Sequence, residues 1–280
     1  MNSLFEEITK LFRQNNIENP RLEARIVFGA VLGVDYAQIC GKEDVSPNQK
    51  KKITDFAEQR IKGKPLDKII GIKSFYKNDF FVDENVLSPR PETEILVEKA
   101  VEIIKKHSFK RILDMGTGSG CILLSILDDC PEVTGIGIDI SAKALQTAKK
   151  NTEKLGLGSR VELKHKSWSD IDFSDSFSEK FDIIVSNPPY IPIEDEKKLM
   201  PEVRYYDPKQ ALFGGEDGLS EYRKIAKVLP NMIKNGGYFL LEAGINQAGQ
   251  IKEIFEKEGF LHKENVRDLA GIERCIIFKK

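Results

Sequence analysis

The sequence predicts an α/β protein whose main domain is a mostly parallel sheet with helices on both faces. Short apolar runs of strand length alternate with stretches of helical spacing from about residue 111 onward, and a glycine-rich turn stands directly after the first such run. Length adds a third constraint. At roughly 100 to 200 residues per domain, 280 residues with 40% hydrophobic content make one large domain and one small one, each with its own core.

Taken in order, residues 1–70 read as a small helical domain. Leu4, Phe5, Ile8, Leu11 and Phe12 recur at helical spacing, and Ser3 with Glu6 has the pattern of a capping box. A second helix runs through Leu22, Ile26, Val27 and Ala30. A third begins at Ser46, with Pro47 at its first position and Gln49 three residues on, and carries Ile53, Phe56, Ala57 and Ile61 as its stripe. Residues 71–86 change to aromatic-rich, partly alternating runs around Lys77-Asn78-Asp79, the pattern of a hairpin linker. In 87–280, strands are expected at 111–115, 134–139, 160–166, 181–186 and 237–242. Helices are expected at 121–127, from Ser141 to near Gly156, at 219–233 and at 247–258. Residues 260–265 and 274–278 would close the sheet as an antiparallel pair.

Charge and cysteine usage exclude several classes. With 43 Lys+Arg against 44 Asp+Glu overall, and 12 basic against 10 acidic residues in 1–70, nothing resembles an arm that wraps a polyanion. No stable nucleic-acid binding is expected. Cys40, Cys121, Cys130 and Cys275 form no CxxC pair, and His107, His165 and His262 have no ligand spacing, so reduced thiols and no metal are expected. The first residues are acidic where a targeting peptide would be basic, and no apolar run approaches the roughly 18 residues of a membrane span. The expectation is a cytoplasmic protein with no membrane association, and a monomer.

The turn Gly116-Thr117-Gly118-Ser119-Gly120 follows Asp114 at the end of one strand and opens a helix. The next strand ends at Asp139, 25 residues after Asp114, where a carboxylate can accept from both hydroxyls of a ribose. An ordinary tight turn is the bland alternative. A dinucleotide fingerprint would want Gly or Ala where Cys121 stands, and no Gly-Lys-Ser/Thr ending is present. The turn instead resembles the first motif of class I S-adenosyl-L-methionine (SAM)-dependent methyltransferases.

At the end of the strand 181–186 stands Asn187-Pro188-Pro189-Tyr190. With Pro near 5% of residues, this tetrapeptide arises by chance in roughly one chain in a thousand of this length. Its chemistry suits a difficult nucleophile, because the lone pair of a planar amide or exocyclic amine is delocalised. The Asn187 side-chain oxygen and the Pro188 carbonyl can both accept from one NH2 and so aim its nitrogen. Tyr190 offers a flat face for stacking.

Together with three further stretches, these residues resemble the HemK/PrmC family of protein-(glutamine-N5) methyltransferases. The stretches are Pro89-Arg90-Pro91-Glu92-Thr93-Glu94, Ala211 to Leu219, and Asp268 to Arg274. The resemblance implies a Rossmann-like methyltransferase domain with a seven-stranded sheet over 87–280, and substrate recognition by 1–70. It implies that SAM is held by Gly116, Thr117, Gly118, Ser119, Gly120, Asp139 and Trp168 and bordered by Asn187. It makes Asn187, Pro188 and Tyr190 catalytic, and Pro189 a further substrate contact. The implied substrate is the glutamine of the Gly-Gly-Gln motif in peptide chain release factors. The alternative for Trp168 is the lone tryptophan of an ordinary core, and Arg90 and Thr93 border the channel or form a surface turn.

Alternative substrates stay open at this stage. An N6-adenine DNA methyltransferase faces the same chemistry, but would need a positively charged, base-reading target domain. A ribosomal-protein glutamine methyltransferase would share every catalytic residue. A non-catalytic SAM-binding regulator leaves Asn187 to Tyr190 unexplained.

Overall fold

The structure, a computed structural model, describes residues 2–34, 45–170 and 177–280; Cys40 lies outside them. The chain divides into two compact units, residues 1–72 with 200–206, and residues 73–199 with 207–280.

The first unit contains α1 (Asn2–Gln14), α2 (Pro20–Leu32), α3 (Pro47–Ile61), the short α4 (Leu66–Ile70) and α8 (Pro201–Tyr206). Its core joins Leu4, Phe5, Ile8 and Phe12 to Ala24, Val27, Phe28, Leu32, Ile53 and Ala57. Phe5 and Phe28 meet edge to face at 5.3 Å. The expected capping box at Ser46 and Gln49 is formed, with both reciprocal hydrogen bonds present. Two expectations fail. The first helix already includes Asn2, so Ser3 lies inside it and cannot cap it. On α2, Leu22 and Ile26 are exposed, because the buried stripe is rotated onto Ala24, Val27, Phe28 and Leu32. Arg60, almost fully buried, ion-pairs with Glu23 and with Glu202, which fastens the 200–206 segment into this unit.

The second unit opens on the hairpin β1 (Ile72–Phe75) and β2 (Asn78–Phe81), of which only Ile72 falls in the first unit. Its turn falls at Tyr76-Lys77, not at Lys77-Asn78-Asp79, and Tyr76 takes a left-handed φ of 55°. Then follow α5 (Glu94–His107), β3 (Arg111–Met115), α6 (Cys121–Asp129), β4 (Thr134–Asp139), α7 (Ala142–Lys154), β5 (Val161–His165) and β6 (Phe181–Ser186). After α8 come α9 (Ser220–Met232), β7 (Ile233–Glu242), α10 (Ala248–Lys257), β8 (Leu261–Arg267) and β9 (Glu273–Lys279). The seven strands are ordered β5-β4-β3-β6-β7-β9-β8, parallel from β5 to β7, with β9 antiparallel to both of its neighbours. Strand order reverses between β3 and β6, the place where such sheets open a crevice at their carboxyl ends.

One face of the sheet packs on α5 and α6 through Leu96, Val97, Ala100, Leu123 and Leu127; the other packs on α9 and α10 through Tyr222, Ile225, Leu229, Ile251 and Phe255. The helix α5 was not anticipated, although its buried positions Leu96, Val97, Ala100, Val101, Ile103 and Ile104 keep helical spacing. Two glycines on β4 set how closely the layers approach. A Cβ at Gly135 would stand 2.5 Å from Leu123 Cδ1, and one at Gly137 would stand 3.0 Å from Thr117 Oγ1. Among the described residues no helix is long and apolar enough to cross a membrane.

Candidate active site

A cleft opens at the carboxyl ends of β3, β4 and β6, and Gly116, Thr117, Gly118, Ser119, Asp139, Trp168, Asn187 and Pro189 all line it. Sequence reading therefore brought eight site residues to one place. Pro188, Tyr190 and Gly120 are not among the residues that line it.

The floor is the turn between β3 and α6. Gly116, Gly118 and Gly120 have φ of 80°, 55° and 82°, a region open to glycine and strained for other residues. Backbone donors tie the turn to the next strand. Gly116 N and Thr117 N both donate to the Ile138 carbonyl, and Gly118 N donates to Asp139 Oδ2 at 2.9 Å. The other oxygen of Asp139 accepts from Ser141 N at 2.8 Å. Each oxygen keeps a second lone pair, so a fixed carboxylate at the strand end can still accept from a ligand. Burial raises the Asp139 pKa, and the two backbone donors work against that rise.

Beneath the turn lies Asp114, wholly buried, which accepts from Thr117 Oγ1 at 2.7 Å. Its Oδ1 and the Ser119 hydroxyl are buried with no hydrogen-bond partner among the described residues. Burial pushes the Asp114 carboxyl up to about 7 against Thr117, far above the roughly 3.9 of an unfolded aspartate. A raised folded pKa favours the fold fully below about pH 4 and loses that contribution as pH rises through about 7. In thermal unfolding of the ligand-free protein, the Asp114→Asn variant should therefore gain on wild type as pH rises from 4 to 8. A constant difference would contradict the assignment.

The far wall is held at several points. Trp168 reaches within 3.5 Å of where a Gly116 Cβ would stand, and its indole Nε1 donates to Glu221 at 2.8 Å. It also packs on the core beneath, so it serves as core and cleft wall at once. Asn187 directs Nδ2 to Thr93 Oγ1 at 3.4 Å. No hydrogen bond reaches the Pro188 carbonyl among the described residues, as expected for a carbonyl just past the end of the β6 ladder. The Tyr190 hydroxyl donates to Glu242 at 3.3 Å, which anchors its ring into the second core layer. Arg90 ion-pairs with Asp207 at 2.8 Å and, with Pro208, Gln210 and Ala211, forms the rim.

Behind the tetrapeptide, Ile191 N donates to the Leu212 carbonyl and Gly214 N to the Ile191 carbonyl. Gln247 Nε2 donates to the Tyr190 carbonyl at 2.9 Å. A Cβ at Gly214 would stand 2.6 Å from the backbone oxygens of both Pro189 and Gly218, atoms that cannot swing aside. Gly214→Ala should therefore displace the tetrapeptide and reduce turnover about tenfold or more, with SAM affinity little changed. Full activity in that variant would show the buttress to be dispensable.

Sequence reasoning assigned no role to Glu242. It is buried at the end of β7, where Thr93 and Tyr190 both donate to its carboxylate. Burial raises its pKa, and the positive charge of Arg274 works against the rise. A lone buried acid at a strand's carboxyl end was the available signal.

Residues 106–272 match the Methyltransferase domain family, and residues 3–71 match the PrmC N-terminal domain family. Among solved structures, the catalytic domain of hMettl16, whose crystals held an RNA hairpin, aligns with a TM-score of 0.57 at 14% identity over 88% of this chain and 92% of that one, which shows the shared fold alone. The release factor glutamine methyltransferase of Caulobacter vibrioides is 38% identical over 93% of this chain and 90% of its own length. That of Agrobacterium fabrum is 36% identical over 97% and 94%. On these matches, which run through both the helical unit and the cleft, the chain belongs to the release factor glutamine methyltransferase family and is a SAM-dependent methyltransferase.

Proposed function

We propose that this chain methylates the side-chain amide nitrogen of the glutamine in the Gly-Gly-Gln motif of peptide chain release factors, acting as a cytoplasmic monomer without stable nucleic-acid binding. The observation that carries the reading is one shared cleft, in which the Asn187 carboxamide stands beside the glycine turn.

The turn fits SAM. A Cβ at Gly118 would meet nothing within 4 Å, so that backbone lies open to a ligand. Two buried polar atoms there, Asp114 Oδ1 and Ser119 Oγ, lack partners among the described residues, and the Asp139 carboxylate can take a ribose. Trp168 supplies an aromatic wall for a purine. When bound, SAM supplies a methyl group on a positively charged sulfur.

The protein's own part is to hold the attacking amide. Asn187 Oδ1 and the Pro188 carbonyl accept its two N–H groups, which fixes the nitrogen and turns its lone pair away from both acceptors. Orientation of this kind contributes several kcal/mol to lowering a barrier. The nearly balanced charge of residues 1–70 agrees with a protein partner rather than a polyanion.

The deciding experiment offers radiolabelled SAM with intact release factor, ribosomal proteins or duplex DNA. Label should enter the release factor alone and vanish when the motif glutamine is replaced. Label in DNA or ribosomal protein would overturn the reading.

A further inference from the structure

Thr93 and Glu242 are 149 residues apart in sequence and meet beside Asn187. A carboxyl oxygen that carries no proton can only accept, and a threonine hydroxyl has one proton to give. Thr93 gives it to Glu242 Oε2 at 2.5 Å, while Tyr190 donates to Oε1 of the same carboxylate. With its proton committed, the Thr93 oxygen can only accept, and its donor is Asn187 Nδ2 at 3.4 Å. A carboxamide carries its NH2 and its oxygen in one plane, on opposite sides of its Cβ–Cγ bond. Turning Nδ2 to Thr93 therefore turns Oδ1 away, and among the described residues no group donates to Oδ1.

We propose that the Glu242–Thr93 pair is a positioning relay that locks Asn187 as a hydrogen-bond acceptor toward the substrate and so selects a side-chain amide over a carboxylate. The inference rests on the glutamine reading above and names what enforces it. Were Asn187 to rotate by half a turn, it would present two N–H groups to the cleft and welcome a glutamate, which has no hydrogen to offer when ionised. Glu242 Oε2 forbids that rotation by accepting the Thr93 proton and so dictating which way it points. Burial raises the Glu242 pKa, and the Thr93 hydrogen bond and the positive charge of Arg274 work against that rise. Thr93 and Glu242 thus act through Asn187 rather than on the substrate.

The test compares full-length wild type, Thr93→Val and Thr93→Ser. Thr93→Val keeps the side-chain shape and removes the hydroxyl, so kcat should fall about tenfold or more while the SAM Kd stays within about twofold. Affinity is also measured for the intact release factor and for one carrying Glu in place of the motif glutamine. Wild type should favour the former, and in Thr93→Val that preference should shrink about fivefold or more, because either orientation of Asn187 is now allowed. Thr93→Ser, which restores the hydroxyl, should recover both properties. A structural contact would lower the melting temperature without moving the preference. The relay is overturned if Thr93→Val keeps wild-type kcat and preference, if it loses kcat with the preference unchanged, or if folded Thr93→Ser behaves like Thr93→Val. A readout independent of turnover is the NMR signal of the Asn187 side-chain NH2, which Thr93→Val should shift and expose to faster exchange; an unchanged signal also overturns the relay. Failure of wild type to label any release factor would instead sink the substrate reading, with the NMR comparison still deciding the relay.

Discussion

Asn187→Ala should abolish most methyl transfer, by a factor on the order of 10² or more, while SAM binding measured by calorimetry stays close to wild type. The side chain lines the cleft and its Nδ2 is already engaged by Thr93, so under the proposed function the atom it offers the substrate amide is Oδ1. Truncation removes one of two acceptors from the substrate amide and leaves the glycine turn and Asp139 untouched. The amide nitrogen then keeps only the Pro188 carbonyl to orient it and can turn its lone pair away from the methyl group. Parallel loss of SAM affinity and turnover would instead make Asn187 a cofactor residue.

Asp139→Ala should weaken SAM binding by about 1 to 3 kcal/mol, roughly 5- to 150-fold, as expected for a lost charge-assisted hydrogen bond. The geometry adds a second reason for a large effect. Because Asp139 also accepts from Gly118 N and Ser141 N, the truncation leaves both backbone donors without this partner and loosens the turn on which the cofactor would lie. Asp139→Asn separates the two roles, since an amide oxygen can still accept from one backbone donor while the charge is gone. An unchanged Kd in Asp139→Ala would remove the residue from the ribose site.

Much of this architecture was legible in the sequence because it obeys local rules. The strands β3, β4 and β6 are short apolar runs; β4 ends on Asp139, while β3 and β6 end one residue before the glycine turn and Asn187. The capping box at Ser46 is likewise a four-residue signal. The exceptions have physical causes. Tyr76 adopts a left-handed backbone that its residue type disfavours, so the true turn gave no glycine or asparagine to read, and the neighbouring Asn78-Asp79 drew the turn toward itself. On α2, enough apolar residues circle the helix that spacing alone could not tell its buried side. The role of Glu242 was hidden for a different reason: its partners Thr93 and Tyr190 lie 149 and 52 residues away, and only the sheet order brings β7 beside β6. Contacts made by topology leave no periodic trace.

The two bare positions on β4 have a consequence for how this enzyme could be re-engineered. With Leu123 pressed over Gly135 and Thr117 over Gly137, the cofactor platform rests on its neighbouring strand with nothing compressible between them. It can be neither lowered by trimming, since no side chain is left to trim, nor raised without prying helix from sheet. Efforts to admit bulkier sulfonium donors will therefore find their freedom at the rim and ceiling, in residues such as Trp168 and Gln210, while library positions spent on the foundation return mostly inactive protein.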